Sequence, residues 1–173
     1  FVLYVGAVSK RKNFLRLLEA MNLPENQDKH LVAVSNGGDE YERAEEFIFE
    51  NHLESRVFFL KDLPWFELPI IYHMSQGLVY PSLYEGFGLP ILEALRCGKP
   101  VITSNLSSMP EVGGDACIFI DPTNVEQISA AINFIYYNLD LAKEIKEKAM
   151  QQVQKFNPEK MTANMMSVYK SVL

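Results

Sequence analysis

The sequence predicts an α/β fold: a parallel sheet covered by helices on both faces. Three observations carry this. Six short runs rich in β-branched, aliphatic and aromatic residues recur, at 1–7, 31–35, 56–60, 77–80, 99–103 and 117–120. Segments with a helical apolar repeat separate them, and this alternation is the pattern of parallel strands joined by helical crossovers. Runs such as 1–7 and 77–80 are apolar almost throughout, as strands buried on both faces must be. The expected organisation is one Rossmann-like domain over residues 1–173.

Bulk composition sets the outer limits. A chain of 173 residues with 48% hydrophobic and 22% charged content can bury a real core. A net charge of -6 and a pI near 5.1 argue against nucleic acid as a partner, while leaving room for a local basic site. No apolar run reaches the length of a membrane-spanning helix. Cys97 and Cys117 are the only cysteines, and neither has ligand-like neighbours, which suggests reduced thiols in a cytosolic setting. The chain starts at Phe1 inside an expected strand, so it is expected to be a fragment of a larger protein.

Taken in order, the first strand ends at Gly6, and the basic loop Ser9-Lys10-Arg11-Lys12-Asn13 follows. Phe14, Leu15, Leu17, Leu18 and Met21 then fall on a helical repeat. Ligands of open parallel sheets bind at the C-terminal ends of strands, so these cations are placed to hold a diphosphate, or else form a solvated basic turn. After the second strand, Asn36-Gly37-Gly38-Asp39 reads as a turn, and 40–50 as an amphipathic helix with a solvated acidic face. The third strand leads through Lys61-Asp62-Leu63-Pro64 to a helix expected over 65–74. Leu63 reads either as a ligand contact or as a hydrophobic staple for that helix. No pair among His30, His52 and His73 has metal-ligand spacing, and no metal site is expected. After the fifth strand come a polar loop at 104–108 and the run Met109-Pro110-Glu111-Val112. The sixth strand is followed by helices expected near 125–135, 139–156 and 158–172.

The chain is organised around 80–112. The fourth strand stops at Pro81 and Ser82, Gly86 and Gly88 free the next turn, and Pro90 suits the start of a helix. Ile91, Leu92, Ala94 and Leu95 give that helix its buried face, and Gly98 its C-terminal cap. Strand, glycine loop and helix N-terminus together aim backbone donors at an anion. Two carboxylates lie within it. On spacing alone, Glu85 reads as a solvated loop acid and Glu93 as a stabilising acid in a first helical turn.

Glu85-Gly86-Phe87-Gly88-Leu89-Pro90 followed by Glu93-Ala94 resembles the signature of retaining nucleotide-sugar-dependent glycosyltransferases of family 4, the glycosyl transferases group 1. Pro81-Ser82 before it and Gly98-Lys99-Pro100-Val101-Ile102 after it match as well. The resemblance spans nearly the whole chain, and it implies the C-terminal, donor-binding half of a GT-B fold, with an N-terminal acceptor domain absent from this fragment. It assigns Gly6 and Lys12 to the donor diphosphate. Where many members carry arginine directly after that glycine this chain has Ala7, and Arg11 is expected to take over part of the contact. Gly37 is implied near the phosphates or sugar, Leu63 at the nucleobase, and Gly86, Phe87, Gly88 and Leu89 in the phosphate loop. Met109-Pro110-Glu111-Val112 is implied to support that loop from behind.

Under the resemblance Glu93 holds the ribose hydroxyls, and Glu85 faces the donor sugar or stabilises an oxocarbenium-like transition state. Transfer proceeds with retention, the acceptor attacking from the leaving group's own face. No metal or other cofactor is expected, since cations and a helix dipole take over the metal's role. GDP-mannose is favoured over UDP-sugars, with a glycan or lipid-linked acceptor in cell-surface polysaccharide synthesis. The expected location is the cytoplasm, at the inner face of the membrane. The alternatives are a nucleotide-sugar-binding module without activity of its own, or another enzyme of the same fold such as a phosphorylase or an epimerase.

Overall fold

The computed structural model describes residues 1–138 and 140–172, and at 158, 160 and 161 the backbone only. All six expected strands form: β1 Val2–Val5, β2 Leu31–Val34, β3 Val57–Leu60, β4 Gly77–Tyr80, β5 Val101–Ser104 and β6 Ile118–Ile120. They make one parallel sheet in the order β3-β2-β1-β4-β5-β6. The chain therefore runs outward from β1 to one edge, returns, and runs outward again from β4. The topological switch point lies between β1 and β4, and open α/β sheets bind ligands beyond the strand C-termini at such a point.

The period-2 geometry of strands divides the core into two layers. Val2 and Tyr4 of β1, with Leu31, Ala33, Val79 and Ile102, pack against α1 (Phe14–Asn22), α2 (Tyr41–Glu50) and α6 (Val125–Tyr137). Leu3, Leu78, Tyr80 and Val101 face α3 (Leu68–Met74), α4 (Leu89–Arg96), α5 (Met109–Gly113) and α7 (Leu141–Lys155). The final helix α8, Pro158–Val172, exposes every side chain the structure describes. Among the described residues no helix is long and apolar enough to cross a membrane.

One helix start differs from expectation. The helix expected over 65–74 begins at Leu68, with Pro69 in its first turn. Proline has no N–H to give the carbonyl four residues back, so Pro69 cannot lie deeper in the helix. Trp65 and Phe66 are left exposed ahead of it. A helix starting at Leu68 would also need Phe66, not Leu63, as its hydrophobic staple. The start expected at Leu139 for the penultimate helix lies outside the described residues.

Candidate functional site

The two loops at the switch point are tied together by their own backbones. The Leu83 N–H donates to the Arg11 carbonyl at 2.8 Å, and Arg11 Nη1 donates to the Tyr84 carbonyl at 2.7 Å. Asn13, in the left-handed region at φ 60°, is buried. Its Nδ2 donates to the carbonyls of Pro81 at 3.1 Å and Pro122 at 2.7 Å. One amide thus joins the loops after β1, β4 and β6.

This tying brings Lys12 and Glu85 together from 73 residues apart. Glu85 is not a solvated loop acid, because its side chain is only 10% exposed. Its Oε1 accepts from Lys12 Nζ at 3.0 Å, Tyr80 Oη at 2.8 Å and Ser82 Oγ at 3.0 Å. Oε2 pairs with Arg11 Nη1. Lys12 Nζ also donates to Tyr80 Oη at 2.8 Å and lies 4.7 Å from the centre of that ring. Burial alone would raise the Glu85 pKa, but the hydrogen bonds from Tyr80, Lys12 and Arg11 outweigh it and hold the carboxyl below its ordinary range. The same pair raises Arg11, and burial followed by Glu85 raises the Tyr80 phenol. The group at the centre of the site is therefore a carboxylate favoured in its ionised form, with both oxygens already taken by donors.

Gly6 explains how Lys12 reaches this position. Its φ is +142°, and a Cβ there would lie 2.9 Å from Cδ, Cε and Nζ of Lys12. The lysine stem thus lies across the bare glycine. Beyond Gly6 opens a cavity of about 550 Å³, lined by Val5, Ala7, Gly37 and Leu63 among others. Its floor is the C-terminal end of β1 and β2. The Asp62 N–H donates to Asn36 Oδ1 at 2.8 Å and clips the loops after β2 and β3 together. Gly38 is a close approach that sequence reading missed: a Cβ there would lie 2.0 Å from the Val8 carbonyl oxygen.

The glycine loop is braced from the far side. Ser107 Oγ donates to the Glu85 carbonyl at 2.7 Å, and Ser108 Oγ bonds the carbonyls of Glu85 at 2.9 Å and Phe87 at 2.8 Å. The bracing expected of Met109-Pro110-Glu111-Val112 is thus supplied by the two serines just before it, while Met109 and Val112 are buried. The Phe87 ring packs edge-on against Phe156, Gly86 and Leu89 are exposed, and Gly88 takes φ 105° as the residue before α4. The N–H groups of Gly86 to Leu89 meet no backbone or side-chain acceptor among the described residues.

Glu93 lies outside this hydrogen-bond network. Because α4 begins at Leu89, Glu93 falls in the second turn, outside the reach of first-turn dipole stabilisation. Its Oε2 accepts from Tyr72 Oη of α3 at 2.9 Å, and burial followed by this carboxylate raises the Tyr72 phenol. With Leu89, Leu92 and Arg96 it lines a separate cavity of about 190 Å³. The site thus gathers Arg11, Lys12 and Glu85 and places Gly6, Gly37 and Leu63 around one cavity, while Glu93 lines a second one. Among the described residues no three His, Cys, Asp or Glu side chains converge as metal ligands would.

The family model for glycosyl transferases group 1 matches residues 1–152. The O-antigen chain mannosyltransferase B of Escherichia coli is 35% identical over 173 residues, covering 98% of this chain and 45% of that protein. The chain therefore spans about half the length of that curated relative. Among solved structures, sucrose-phosphate synthase of Thermosynechococcus elongatus superposes with a TM-score of 0.87 at 28% identity, covering 99% of this chain and 45% of that one. The C-terminal domain of a glycosyl transferase group 1 family protein (LpcC) from Francisella tularensis shares the fold, with a TM-score of 0.76 at 22% identity over 90% of this chain and 85% of that one. The sheet order, the helices on both faces and the family match agree, and the chain belongs to the glycosyl transferases group 1, with the Rossmann-like half of a GT-B fold.

Proposed function

We propose that this chain is the donor-binding part of a retaining hexosyltransferase that takes its sugar from a nucleoside diphosphate, with GDP-mannose as the favoured donor. One observation carries the reading: two cations, a buried carboxylate and unpaired loop N–H groups converge at the switch point, beside a cavity large enough for a nucleoside. Lys12 and Arg11 neutralise the diphosphate and the charge that grows on it as the sugar departs, and the N–H groups of Gly86 to Leu89 add to this. Leu63 and Gly37 border the base and sugar ends of the cavity, and the donor extends past the glycine loop to α4, where Glu93, with one oxygen held by Tyr72, takes the ribose hydroxyls.

Glu85 is not cast as nucleophile or base, since its carboxyl is held below the ordinary range. It fixes the donor sugar, and the leaving diphosphate takes the acceptor's proton on the retained face. No metal is required in this scheme. A further N-terminal domain supplies the acceptor, a glycan or lipid-linked chain at the inner face of the membrane. Likeness to an O-antigen mannosyltransferase supports mannose and polysaccharide synthesis.

The test is calorimetry with GDP, UDP and ADP and their sugar conjugates, in chelator. The expected result is metal-free binding that prefers GDP and GDP-mannose and is weakened at least tenfold by Lys12→Ala. Binding that needs a divalent ion, or that ignores Lys12, overturns the reading.

A further inference from the structure

The two oxygens of Glu85 are held in unlike ways. Oε1 receives three donors from two places in the chain, Lys12 and the buried pair Tyr80 and Ser82. Oε2 is met, among the described residues, by Arg11 alone, whose side chain is 48% exposed. Arg11 shares the same Nη1 with the carbonyl of the exposed Tyr84. One end of the carboxylate is therefore built into the core, and the other rests on a cation that solvent reaches.

A diphosphate entering beside Lys12 competes for that cation. It carries more charge than a carboxylate, and a guanidinium fork grips phosphate oxygens in pairs. Glu85 cannot follow Arg11, because Oε1 stays anchored. Losing Arg11 therefore leaves Oε2 in need of a donor, and an unpaired charge in a largely buried position is costly.

We propose that Arg11 is an exchangeable partner: the diphosphate takes it from Glu85, and the Oε2 so released receives a hydroxyl of the donor sugar. The proposal rests on the donor-site reading above and adds an order of events and a division of labour. Arg11 leaves, Lys12 stays, and Oε1 is the fixed end. It also makes Glu85 a discriminator. A bare nucleoside diphosphate displaces Arg11 and offers nothing in return. The sugar conjugate supplies the missing hydrogen bond.

The experiment is a calorimetric cycle on the 173-residue chain, with GDP, UDP, GDP-mannose and UDP-glucose as probes. The variants are Glu85→Gln, Arg11→Ala, the double variant and Lys12→Ala, with circular dichroism melts to score folding. Glu85→Gln is expected to tighten the bare nucleotide roughly threefold to tenfold, since no internal anion then competes for Arg11. The same variant is expected to weaken the sugar conjugate by a similar factor. In the Arg11→Ala background the gain for bare nucleotide should vanish, because it acts through Arg11.

A gain of equal size in both backgrounds would point to general charge repulsion and overturn the exchange. So would a loss of bare-nucleotide affinity in a folded Glu85→Gln chain. If that variant melts out, Arg11→Ala alone decides: Oε2 is free of Arg11 in every bound state of the exchange, so a preference for the sugar conjugate that survives the substitution unchanged supports it, while a preference that is absent at the outset, or that the substitution raises or lowers, overturns it. Failure of the unsubstituted chain to bind any probe, or indifference to Lys12→Ala, instead overturns the donor-site reading and the exchange with it.

Discussion

Two glutamates eight residues apart sit in very different surroundings, and each receives a hydrogen bond from a tyrosine. Glu85 takes donors from Tyr80, Ser82, Lys12 and Arg11, inside a crevice where three loops are tied together. Glu93 takes one phenol, from Tyr72, between two helices on one face of the sheet. The first carboxylate is the hub of a charged network that crosses the switch point. The second is a local pin between α3 and α4. Their shared motif thus joins two separate physical problems, one of charge and one of position.

The comparison can be broken by substitution, and stability reads it most directly. Glu85→Ala leaves a mostly buried ammonium and half of a guanidinium without their anion. It should cost about 2 kcal/mol at pH 7, reduced from fully buried values because Arg11 is half exposed. Tyr80→Phe removes a donor to Glu85 and an acceptor for Lys12 together, and should cost about 1.5 kcal/mol. Glu93→Ala and Tyr72→Phe each remove one neutral-to-charged hydrogen bond and should cost about 1 kcal/mol or less. Thermal unfolding of the four variants would check the order, and a larger loss at Glu93 than at Glu85 would reverse the contrast.

Acidity sharpens the same contrast. The folded pKa of Glu85 lies below its ordinary value of 4.5, so its contribution to stability is complete above that value. The contribution is lost as pH falls through the folded pKa. The gap in melting temperature between the unsubstituted chain and Glu85→Ala should therefore hold from pH 7 to about 5 and close below 4.5. A gap that stays constant to pH 3 would mean that packing, not charge, sets the Glu85 penalty.

The strands were legible because each is an apolar run bounded by turn residues, and two-sided burial demands that of the inner ones, β1, β4 and β5 above all. The order of the strands was not, since pairing depends on how crossovers pack rather than on any one segment. Arg11, Lys12 and Glu85 stood out as charged residues in loops, but only the fold reveals that they meet. Tyr80 was hidden for a different reason. A tyrosine closing an apolar run reads as core, and its ring is core, while the hydroxyl serves the site. Ser107 and Ser108 looked like loop filler because their acceptors are backbone carbonyls, which every residue carries. The helix expected from Trp65 starts instead at Leu68, because Pro69 must lie in its first turn.

Asn13 has a consequence for grafting loops into this chain. One side-chain amide holds the carbonyls that follow β4 and β6 while its backbone belongs to the loop after β1. A loop transplanted here keeps the curvature that the amide imposes only if its first carbonyl still meets Asn13. Grafting 81–88 alone should misplace Glu85 even if every grafted residue matched the source. In this chain the unit that can be moved intact is the knot of all three loops.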